Sequence, residues 1–362
     1  MHSLIRRAWV EVDLGALLRN GASIAAQAGV PLLPMVKADA YGLGAIPVAR
    51  ALEELEPWGF GVATIAEGEE LRHAAITRPI IVFTPLLVGD FDAAVRADLT
   101  PTLGDRDAIL RWQETGRPWH LAIDTGMSRA GIQWDEIDNV RDAIAFRPPQ
   151  GVFTHFHSAE RHDESRRLQE RRFEAAISRL TVRPAMVHAE NSAAAEHHGP
   201  SQWTVARVGI FLYGVSSGNE PRIQPEPVVS LRARVVDIRT IEDGETVSYG
   251  GTYRAVGKRR IATLGIGYAD GYRRALGNRA SVLLHGRRVP VAGVVTMDMT
   301  MVDVTELTES PCAIGDVATL VGADGDERID VSEIAEVGDL SPYEVLTGLR
   351  GRLPRRYVGG AT

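Results

Sequence analysis

The chain has 362 residues, about twice the length of a typical single domain, which predicts one large barrel or two domains. Hydrophobic residues make up 44% and charged residues 24%, a composition that excludes disordered, collagen-like and disulfide-scaffold chains. Forty basic residues against 47 acidic ones give a net charge of −7, and no stretch gathers basic residues beside aromatic ones, so nucleic-acid binding has no electrostatic support.

The cysteine count and the start of the chain bear on the cellular compartment. The single cysteine, Cys312, cannot form an internal disulfide, which suits a reducing compartment but would also suit a cysteine-poor exported protein. The basic start meets Glu11 and Asp13 before a signal-peptide core could form, and no run reaches the ~18 apolar residues of a membrane span. We therefore expect a cytoplasmic protein that does not associate with membranes.

Short apolar runs alternate with helical patterns through the first two thirds of the chain. The strand candidates are LLPMVKADA, GFGVATIA, PIIVFTP, LTPTLG, WHLAIDTG, GVFTHFHS, AMVHAE and TVARVGI. Helical patterns such as DFDAAVRAD and ESRRLQERRFEAAISRL lie between several of them. Eight strands with intervening helices over roughly 200 residues favour a (β/α)8 TIM barrel of the α/β class, although a doubly wound open sheet would show the same alternation.

The pattern changes near residues 225–227. Strand-like runs such as SLRARVVDIRTI, RRIATLGIGYADGY and CAIGDVATLVG then follow one another, separated by turn residues and without regular intervening helices. Helical spacing returns in DVSEIAEVGDLSPYEVLTGL, with Asp330 or Ser332 as the candidate N-cap. We predict a barrel over residues 10–225 and a mainly-β domain over residues 226–362, with residues 1–9 packing on the second domain.

A lysine ends the first predicted strand. Lys37, in MVKADAYGLG, is flanked by apolar residues and followed by glycines that allow a sharp turn. Active sites of barrels lie at the C-terminal ends of the strands, and a partly desolvated lysine there can have a pKa low enough to act as nucleophile or base. The alternative is that Lys37 extends to solvent or pairs with Asp39.

The loops after the last two predicted strands are candidates for an anion site. Asn191 and Ser192 resemble the capped start of a helix, and Gly209 permits close backbone approach before Ile210. In barrels of this type the loops after strands seven and eight usually bind phosphate. Simple helix capping would explain the same residues.

Two histidines raise the alternative of a metal hydrolase. His155 and His157, in THFHS, have the spacing of a metal-binding pair on one strand face, and Arg207 lies two strands further round the barrel. In metal-hydrolase barrels such a pair normally lies on the first strand, whereas here it falls on the sixth. The chain also has no cysteine cluster and no HExxH motif, so we predict no metal site.

An ordered set of motifs spanning about Val10 to Tyr343 resembles the alanine racemase family. The motifs carry chemistry-bearing residues in both predicted domains: VKADAYGLG with Lys37, DTGMSRAG with Arg129, THF with His155, HAENSAAA with His188 and Ser192, RVGIFLYG with Arg207, GYADGY with Tyr268, and the pair Met297-Asp298. VKADAYG and GYADGY at this separation are highly specific.

The resemblance implies a homodimer of two-domain subunits, a pyridoxal 5'-phosphate barrel followed by a β-domain, that interconverts L-alanine and D-alanine. Inverting the Cα of an amino acid needs a base on one face and an acid on the other. By resemblance, Lys37 binds the cofactor and acts on one face, while Tyr268 of the other subunit acts on the opposite face, so the active sites are shared between chains.

The resemblance also assigns the surrounding residues. It implies that the cofactor is held by Lys37, Tyr41, His155, His188, Ser192, Arg207, Gly209, Ile210 and Tyr343, and the substrate by Arg129 and the Met297 backbone. Within this set Arg207 faces the cofactor's ring nitrogen, and His155 links Arg207 to the tyrosine. Hydroxyls of Tyr41 and Tyr343 join Ser192 and the Gly209–Ile210 backbone at the phosphate.

Three departures from the family pattern limit these assignments. Ala122 stands where many members have a lysine that orients the arginine matching Arg129, and Leu43 and Arg273 replace a histidine and a proline. Other outcomes stay open: a racemase of serine or another amino acid, or a non-catalytic cofactor-binding homologue. A decarboxylase of the same architecture is disfavoured because Arg207 replaces the acidic partner of the ring nitrogen. The sequence does not decide whether D-alanine would supply cell-wall synthesis or catabolism.

Overall fold

A computed structural model describes residues 6–161 and 163–360 of the chain, so residues 1–5 of the segment predicted to pack on the second domain lie outside the described residues. Its strands are β1 Ala8–Asp13, β2 Phe60–Val62, β3 Ile80–Val82, β4 Thr100–Leu103, β5 His120–Asp124, β6 Ile132–Gln133, β7 Gly151–Phe153, β8 Met186–His188, β9 Val229–Ile241, β10 Thr246–Val247, β11 Tyr253–Arg254, β12 Arg259–Leu264, β13 Ser281–Leu284, β14 Arg287–Pro290, β15 Thr300–Asp303, β16 Val317–Asp324, β17 Glu327–Ile329 and β18 Arg355–Val358. Its helices are α1 Leu14–Ala28, α2 Lys37–Gly42, α3 Ala45–Leu52, α4 Ile65–His73, α5 Phe91–Arg96, α6 Arg106–Gln113, α7 Arg141–Phe146, α8 Ser165–Ser178, α9 Ser192–His197, α10 Val331–Gly338 and α11 Pro342–Thr347.

The chain forms two compact units. The barrel unit comprises Leu17–Ala40 and Ala45–Glu226, and the β-rich unit comprises the residues up to Ala16, Tyr41–Gly44 and the chain from Pro227 onward. The first strand therefore belongs to the β-rich unit, together with the short segment that follows Lys37. The domain bounds 10–225 and 226–362 stay predictions.

The barrel unit has a parallel sheet in the order β2-β3-β4-β5-β7-β8. Two irregular segments, residues 32–36 and 204–208, close it: Leu33 and Met35 donate backbone hydrogen bonds to the second segment, while Val36 and Gly61 link the first segment to β2. The backbone N–H of Thr204 joins the second segment to β8. Eight parallel segments thus curl into a ring within the described residues, which confirms the predicted (β/α)8 class.

Side-chain caps begin several helices of the barrel unit. Thr64 and Glu67 form a reciprocal capping box at α4, Asp105 accepts from the backbone of α6, and Asn191 accepts from Ala194 at the start of α9. The sequence predicts the Asn191 cap. No helix in the described part of the chain has the length and apolarity needed to span a membrane.

The β-rich unit is built on a mostly antiparallel sheet in the order β14-β13-β16-β9-β1-β18, with β12 pairing both β9 and β15. The long strand β9 contacts β1 on one edge and β16 on the other, so it connects the two halves of the sheet. Helices α10 and α11 follow, and Asp330 is the N-cap of α10, without a side-chain hydrogen bond to the helix. The predicted mainly-β character of this region is confirmed.

The helical turn α2 is left-handed. Ala38, Asp39, Ala40 and Tyr41 have φ between 51° and 57°, a region that costs an L-residue roughly 1–2 kcal/mol. The Glu67 carboxylate accepts from the N–H of Ala38 at 2.7 Å, and Asp39 accepts from the N–H of Ala45 at 2.7 Å. These contacts offset the strain and set the direction in which the chain leaves the first barrel segment.

This left-handed turn predicts an unusual response to glycine. Ala38 is exposed with φ of 53°, so Ala38→Gly should raise the free energy of unfolding by about 0.5–1 kcal/mol, because relief of strain exceeds the entropic cost of glycine. The matched control, Ala22→Gly on the exposed face of the right-handed helix α1, should lower it by about 1 kcal/mol. Urea unfolding of both variants measures the difference; a loss of stability at both sites would contradict the left-handed assignment.

Candidate active site

A buried arginine connects several polar groups of the barrel unit through hydrogen bonds. Arg207, in the closing segment 204–208, is 4% exposed, and its guanidinium donates to the carbonyls of His188 and Thr154, at 2.7 Å each. The rings of Phe153 and Phe83 lie 5.2 and 5.8 Å from the guanidinium carbon. Burial lowers the pKa of Arg207 to about 9, which still leaves it charged at neutral pH.

Two predicted histidines accept hydrogen bonds from this guanidinium. Nη1 of Arg207 is 3.0 Å from Nδ1 of His188, and Nη2 is 3.4 Å from Nδ1 of His155. Burial and the charge of Arg207 lower the pKa of His155 to about 3 and hold that of His188 well below its usual value. Both imidazoles are therefore neutral at physiological pH. The expected link between His155 and Arg207 is present as a hydrogen bond.

A third histidine extends the network, and the sequence reasoning missed it. His120, at the start of β5, is fully buried, and its Nδ1 lies 2.8 Å from Nε2 of His188. Burial lowers the pKa of His120 to about 3. The available signal was an imidazole within the apolar run WHLAID, since a fully buried polar side chain in a strand requires a hydrogen-bond partner.

Lys37 directly follows the first barrel segment, at the start of the left-handed turn. Burial lowers its pKa, and the charges of Arg129 and Arg207 lower it further, while Glu67 opposes the shift. Among the described residues Lys37 forms no ion pair with Asp39, whose carboxylate accepts from the backbone N–H of Ala45. The positive charges of two arginines thus disfavour the ammonium form of Lys37, which favours its neutral, nucleophilic form.

Arg129 lies in the loop that follows β5. Buried Asp124 shapes this loop by accepting from the backbone N–H groups of Gly126 and Ser128. Arg129 itself is exposed and makes no hydrogen bond or ion pair with another side chain in residues 6–161 and 163–360. Ala122 lies on β5, two residues before Asp124, so no longer side chain at that position orients the arginine.

The hydroxyl of Ser192 joins the loop after β8 to the loop after the closing segment 204–208. Oγ of Ser192 accepts from the backbone N–H of Gly209 at 2.8 Å, which leaves the hydroxyl proton of Ser192 to donate to a ligand. Ser192 and Ile210 are 5% and 2% exposed. The structure thus brings together Ser192, Gly209 and Ile210, three of the five residues predicted for the phosphate, and the N–H of Gly209 donates to Ser192.

The two histidines of THFHS do not form a pair. His155 points its Nδ1 at Arg207, whereas exposed His157 contacts the hydroxyl of Ser158 at 2.8 Å. Among the described residues no group of three or more His, Cys, Asp and Glu side chains is arranged to hold a metal ion.

In the β-rich unit, two predicted residues lie on neighbouring loops. Tyr268 donates its backbone N–H to Thr296, and Ala269 donates to the carbonyl of Met297, so the GYADGY and VTMDMT segments are tied together. Gly267 lies against the backbone of Thr296 and Met297, where a Cβ would clash. Tyr268 is 36% exposed.

A buried carboxylate, that of Asp270, anchors the loop that carries Tyr268. Asp270 is fully buried, accepts from the N–H of Gly267 at 3.0 Å, and pairs with Arg7 at 2.7 Å and Arg352 at 3.2 Å. Arg352 also pairs with Asp298 at 2.7 Å. These ion pairs fix the loop that carries Tyr268, and no sequence pattern indicated them.

The predicted tyrosines Tyr41 and Tyr343 also lie together in the β-rich unit. Their ring centroids are 5.9 Å apart. Burial raises the pKa of Tyr41, and the phenol of Tyr343 raises it further. Arg355 donates to the carbonyl of Gly42 at 2.7 Å, and Tyr357 donates to that of Leu43 at 3.0 Å. The chain after the left-handed turn is therefore bound to β18.

Comparison with known proteins gives matches along the whole chain. A family model described as alanine racemase, N-terminal domain, matches residues 12–217, and one described as alanine racemase, C-terminal domain, matches residues 228–357. An alanine racemase of Symbiobacterium thermophilum is 38% identical, with 98% of both chains covered. The solved alanine racemase of E. faecalis is 31% identical with a TM-score of 0.92, covering 97% of this chain and 98% of that one. That of Bartonella henselae, described with covalently bound pyridoxal phosphate, is 26% identical with a TM-score of 0.90, covering 98% and 100%.

The neutral histidines predict loss of stability in acid. The folded-state pKa of His120 is about 3 against 6.5 in the unfolded chain, so between these values only the unfolded chain takes up the proton, and stability falls as the pH drops below about 6.5. At pH 5 the loss from His120 should be about 2 kcal/mol relative to pH 7. Urea unfolding at both pH values measures it.

A pair of variants separates this effect from general acid unfolding. His120→Asn should reduce the acid-induced loss, because asparagine does not titrate, whereas Gln113→Met, which removes a buried hydrogen bond but no titrating group, should leave it unchanged. Equal pH dependence in the wild type and His120→Asn would show that His120 is not held neutral.

Proposed function

Because the chain belongs to the alanine racemase family, we propose that it interconverts L-alanine and D-alanine with pyridoxal 5'-phosphate as cofactor, in a homodimer with shared sites. The observation that carries the proposal is the position of Lys37, an amine with a lowered pKa beside Arg129 and Arg207 at the carboxyl end of the first barrel segment. Amines of this kind form covalent bonds with aldehydes.

The residues of the barrel unit fit this cofactor. The charge of Arg129 acts on both Lys37 and Arg207, and among the described residues neither arginine forms an ion pair, so the site has an excess of positive charge that suits a ligand bearing phosphate. The free hydroxyl proton of Ser192 and the backbone at Ile210 would bind the phosphate. In the proposal Gly209 supports Ser192, and the hydroxyls of Tyr41 and Tyr343 add to the same group.

When bound, the cofactor withdraws electrons from the substrate and makes its Cα proton acidic. The protein then has to move that proton between two faces. We assign one face to Nζ of Lys37 and the other to the phenolic oxygen of Tyr268 of the partner subunit. A single group would return the proton to the side it came from, so both are required for inversion.

The contacts of His155 support a role beside the phenol. A guanidinium can only donate, so Nδ1 of His155 accepts from Arg207, and in the neutral ring the proton lies on Nε2. That N–H is then available to donate to an ionised phenolic oxygen, which stabilises the form of Tyr268 that acts as a base. His188 holds the other side of the same guanidinium.

Arg207 suits a position facing the cofactor's ring nitrogen. It stays charged at neutral pH and donates hydrogen bonds in a fixed direction without transferring a proton readily. The ring nitrogen would then remain unprotonated, which weakens electron withdrawal and restrains side reactions such as transamination. For the substrate carboxylate we propose Arg129 and the backbone of Met297.

The direct test of the activity is proton exchange at Cα. Purified protein with L-alanine and cofactor in deuterated water should give D-alanine carrying α-deuterium, and Tyr268→Phe should lower kcat about 10²–10⁴-fold because one proton carrier is lost. The matched control, Tyr249→Phe at an exposed tyrosine of the same unit, should retain activity. Lys37→Ala should no longer retain cofactor after borohydride treatment. No exchange with alanine, serine or another amino acid would reject the proposal, and D-serine without D-alanine would reassign the substrate.

Shared sites predict complementation between two inactive variants. In a heterodimer of Lys37→Ala and Tyr268→Phe chains, one site has both wild-type residues and the other has neither. After random subunit exchange, about one quarter of wild-type activity should return, since half the dimers are mixed and one of their two sites is intact. Dilution that dissociates the dimer should also lower the activity per subunit. No recovery, together with unchanged activity through measured dissociation, would place both residues within one chain's site.

A further inference from the structure

His120 and His188 reach each other across the strand that separates them. The sheet order is β5-β7-β8, and His120 pairs in register with Gly151 of β7, while His188 pairs with Phe153. A Cβ at Gly151 would lie 2.5–2.9 Å from three atoms of the His120 ring. The glycine therefore provides the space in which the two imidazoles meet.

Arg207, His188 and His120 form a hydrogen-bonded series, and the guanidinium at one end determines where the protons of the two imidazoles lie. The guanidinium of Arg207 can only donate, so Nδ1 of His188 accepts. The neutral His188 ring then carries its proton on Nε2 and donates it to Nδ1 of His120 at 2.8 Å. The His120 proton consequently lies on Nε2, the buried ring nitrogen that does not face His188, and the side chain of Gln150 interacts with the same ring.

Aromatic side chains surround His188, so the acceptor that His120 offers to its N–H has few alternatives. Phe153 stacks on His188 with centroids 5.2 Å apart, and Phe83 meets the same ring edge-on at 6.3 Å. His188 is fully buried, so the proton on its Nε2 needs an acceptor from the protein, and Nδ1 of His120 lies at hydrogen-bond distance. Without His120, both tautomers of His188 would be unfavourable. With the proton on Nε2, His188 accepts from Arg207 but leaves a buried N–H unpaired; with the proton on Nδ1, it points an N–H at the guanidinium, which is also a donor.

We propose that His120 is a positioning residue: by accepting from Nε2 of His188 it fixes the tautomer of that ring, and through it the direction of the Arg207 guanidinium. The inference rests on the proposed function, in which Arg207 faces the cofactor's ring nitrogen. His120 touches no reacting group and acts through His188 alone.

The first measurement needs no variant. In holoenzyme labelled with [15N]histidine, protonated and unprotonated ring nitrogens have well-separated 15N resonances, and those of His188 are identified by their loss in His188→Gln. We expect Nε2 protonated and Nδ1 unprotonated in the wild type. A proton on Nδ1 of His188 would overturn the proposal whatever the activity of the protein.

Two substitutions then separate hydrogen bonding from shape. His120→Phe keeps a planar ring but removes the acceptor, so the single tautomer of His188 should be lost, and kcat should fall about tenfold or more with little change in KM. His120→Asn places an amide oxygen where Nδ1 was, so the wild-type pattern and a kcat within about threefold of the wild type should return. An unchanged His188 spectrum in His120→Phe, or an equal loss of kcat in both variants, would overturn the proposal.

A matched control accounts for loss of stability. Gln113 is 3% exposed and donates to the carbonyl of Ala143 at 2.6 Å on the helical layer of the same unit, so Gln113→Met removes a buried hydrogen bond without touching the histidine chain. It should lower stability and leave the His188 resonances and kcat unchanged. If the wild type racemizes no amino acid, the proposed function fails, while the His188 spectrum still decides the tautomer.

Discussion

A buried positive charge without a paired carboxylate is the constraint on which the barrel interior depends. Arg207 is held by the carbonyls of His188 and Thr154, by two neutral imidazoles and by aromatic faces, all of which accept or attract and none of which neutralises it. Removing any one of these partners would leave a desolvated charge partly unsatisfied. The histidines are consequently kept neutral, and the amine of Lys37 is biased toward its neutral form by the same charge.

Backbone strain in the left-handed turn beside Lys37 is a second unfavourable contribution to stability at the site. Consecutive L-residues in a left-handed turn persist only where the surroundings determine them, and here Glu67 joins the cap of α4 to the N–H of Ala38. One carboxylate thus starts a helix, holds the turn and opposes the lowering of the lysine pKa. The turn leads Tyr41 into the β-rich unit, where it meets Tyr343.

The sequence predicts most of the scaffold because the signals are local. The apolar runs match β2 to β5, β7, β8 and the two closing segments, and Asn191 caps its helix as expected. The left-handed turn could not be predicted, since Ala-Asp-Ala-Tyr favours right-handed or extended backbone. The Glu67 contact was signalled only by the pattern Thr-x-x-Glu. His120 and the Asp270 ion pairs depend on residues far apart in the chain, which periodicity does not connect.

The interior position of β1 in the β-rich sheet governs when that unit can be completed. The strand is synthesised before the barrel unit, whereas its two neighbours, β9 and β18, are synthesised only after that unit. Until then both edges of an apolar strand, AWVEVD, have no ladder partner, and such edges recruit other chains. A translation product that stops before Val229 therefore exposes β1 without either of its ladder partners, which favours aggregation.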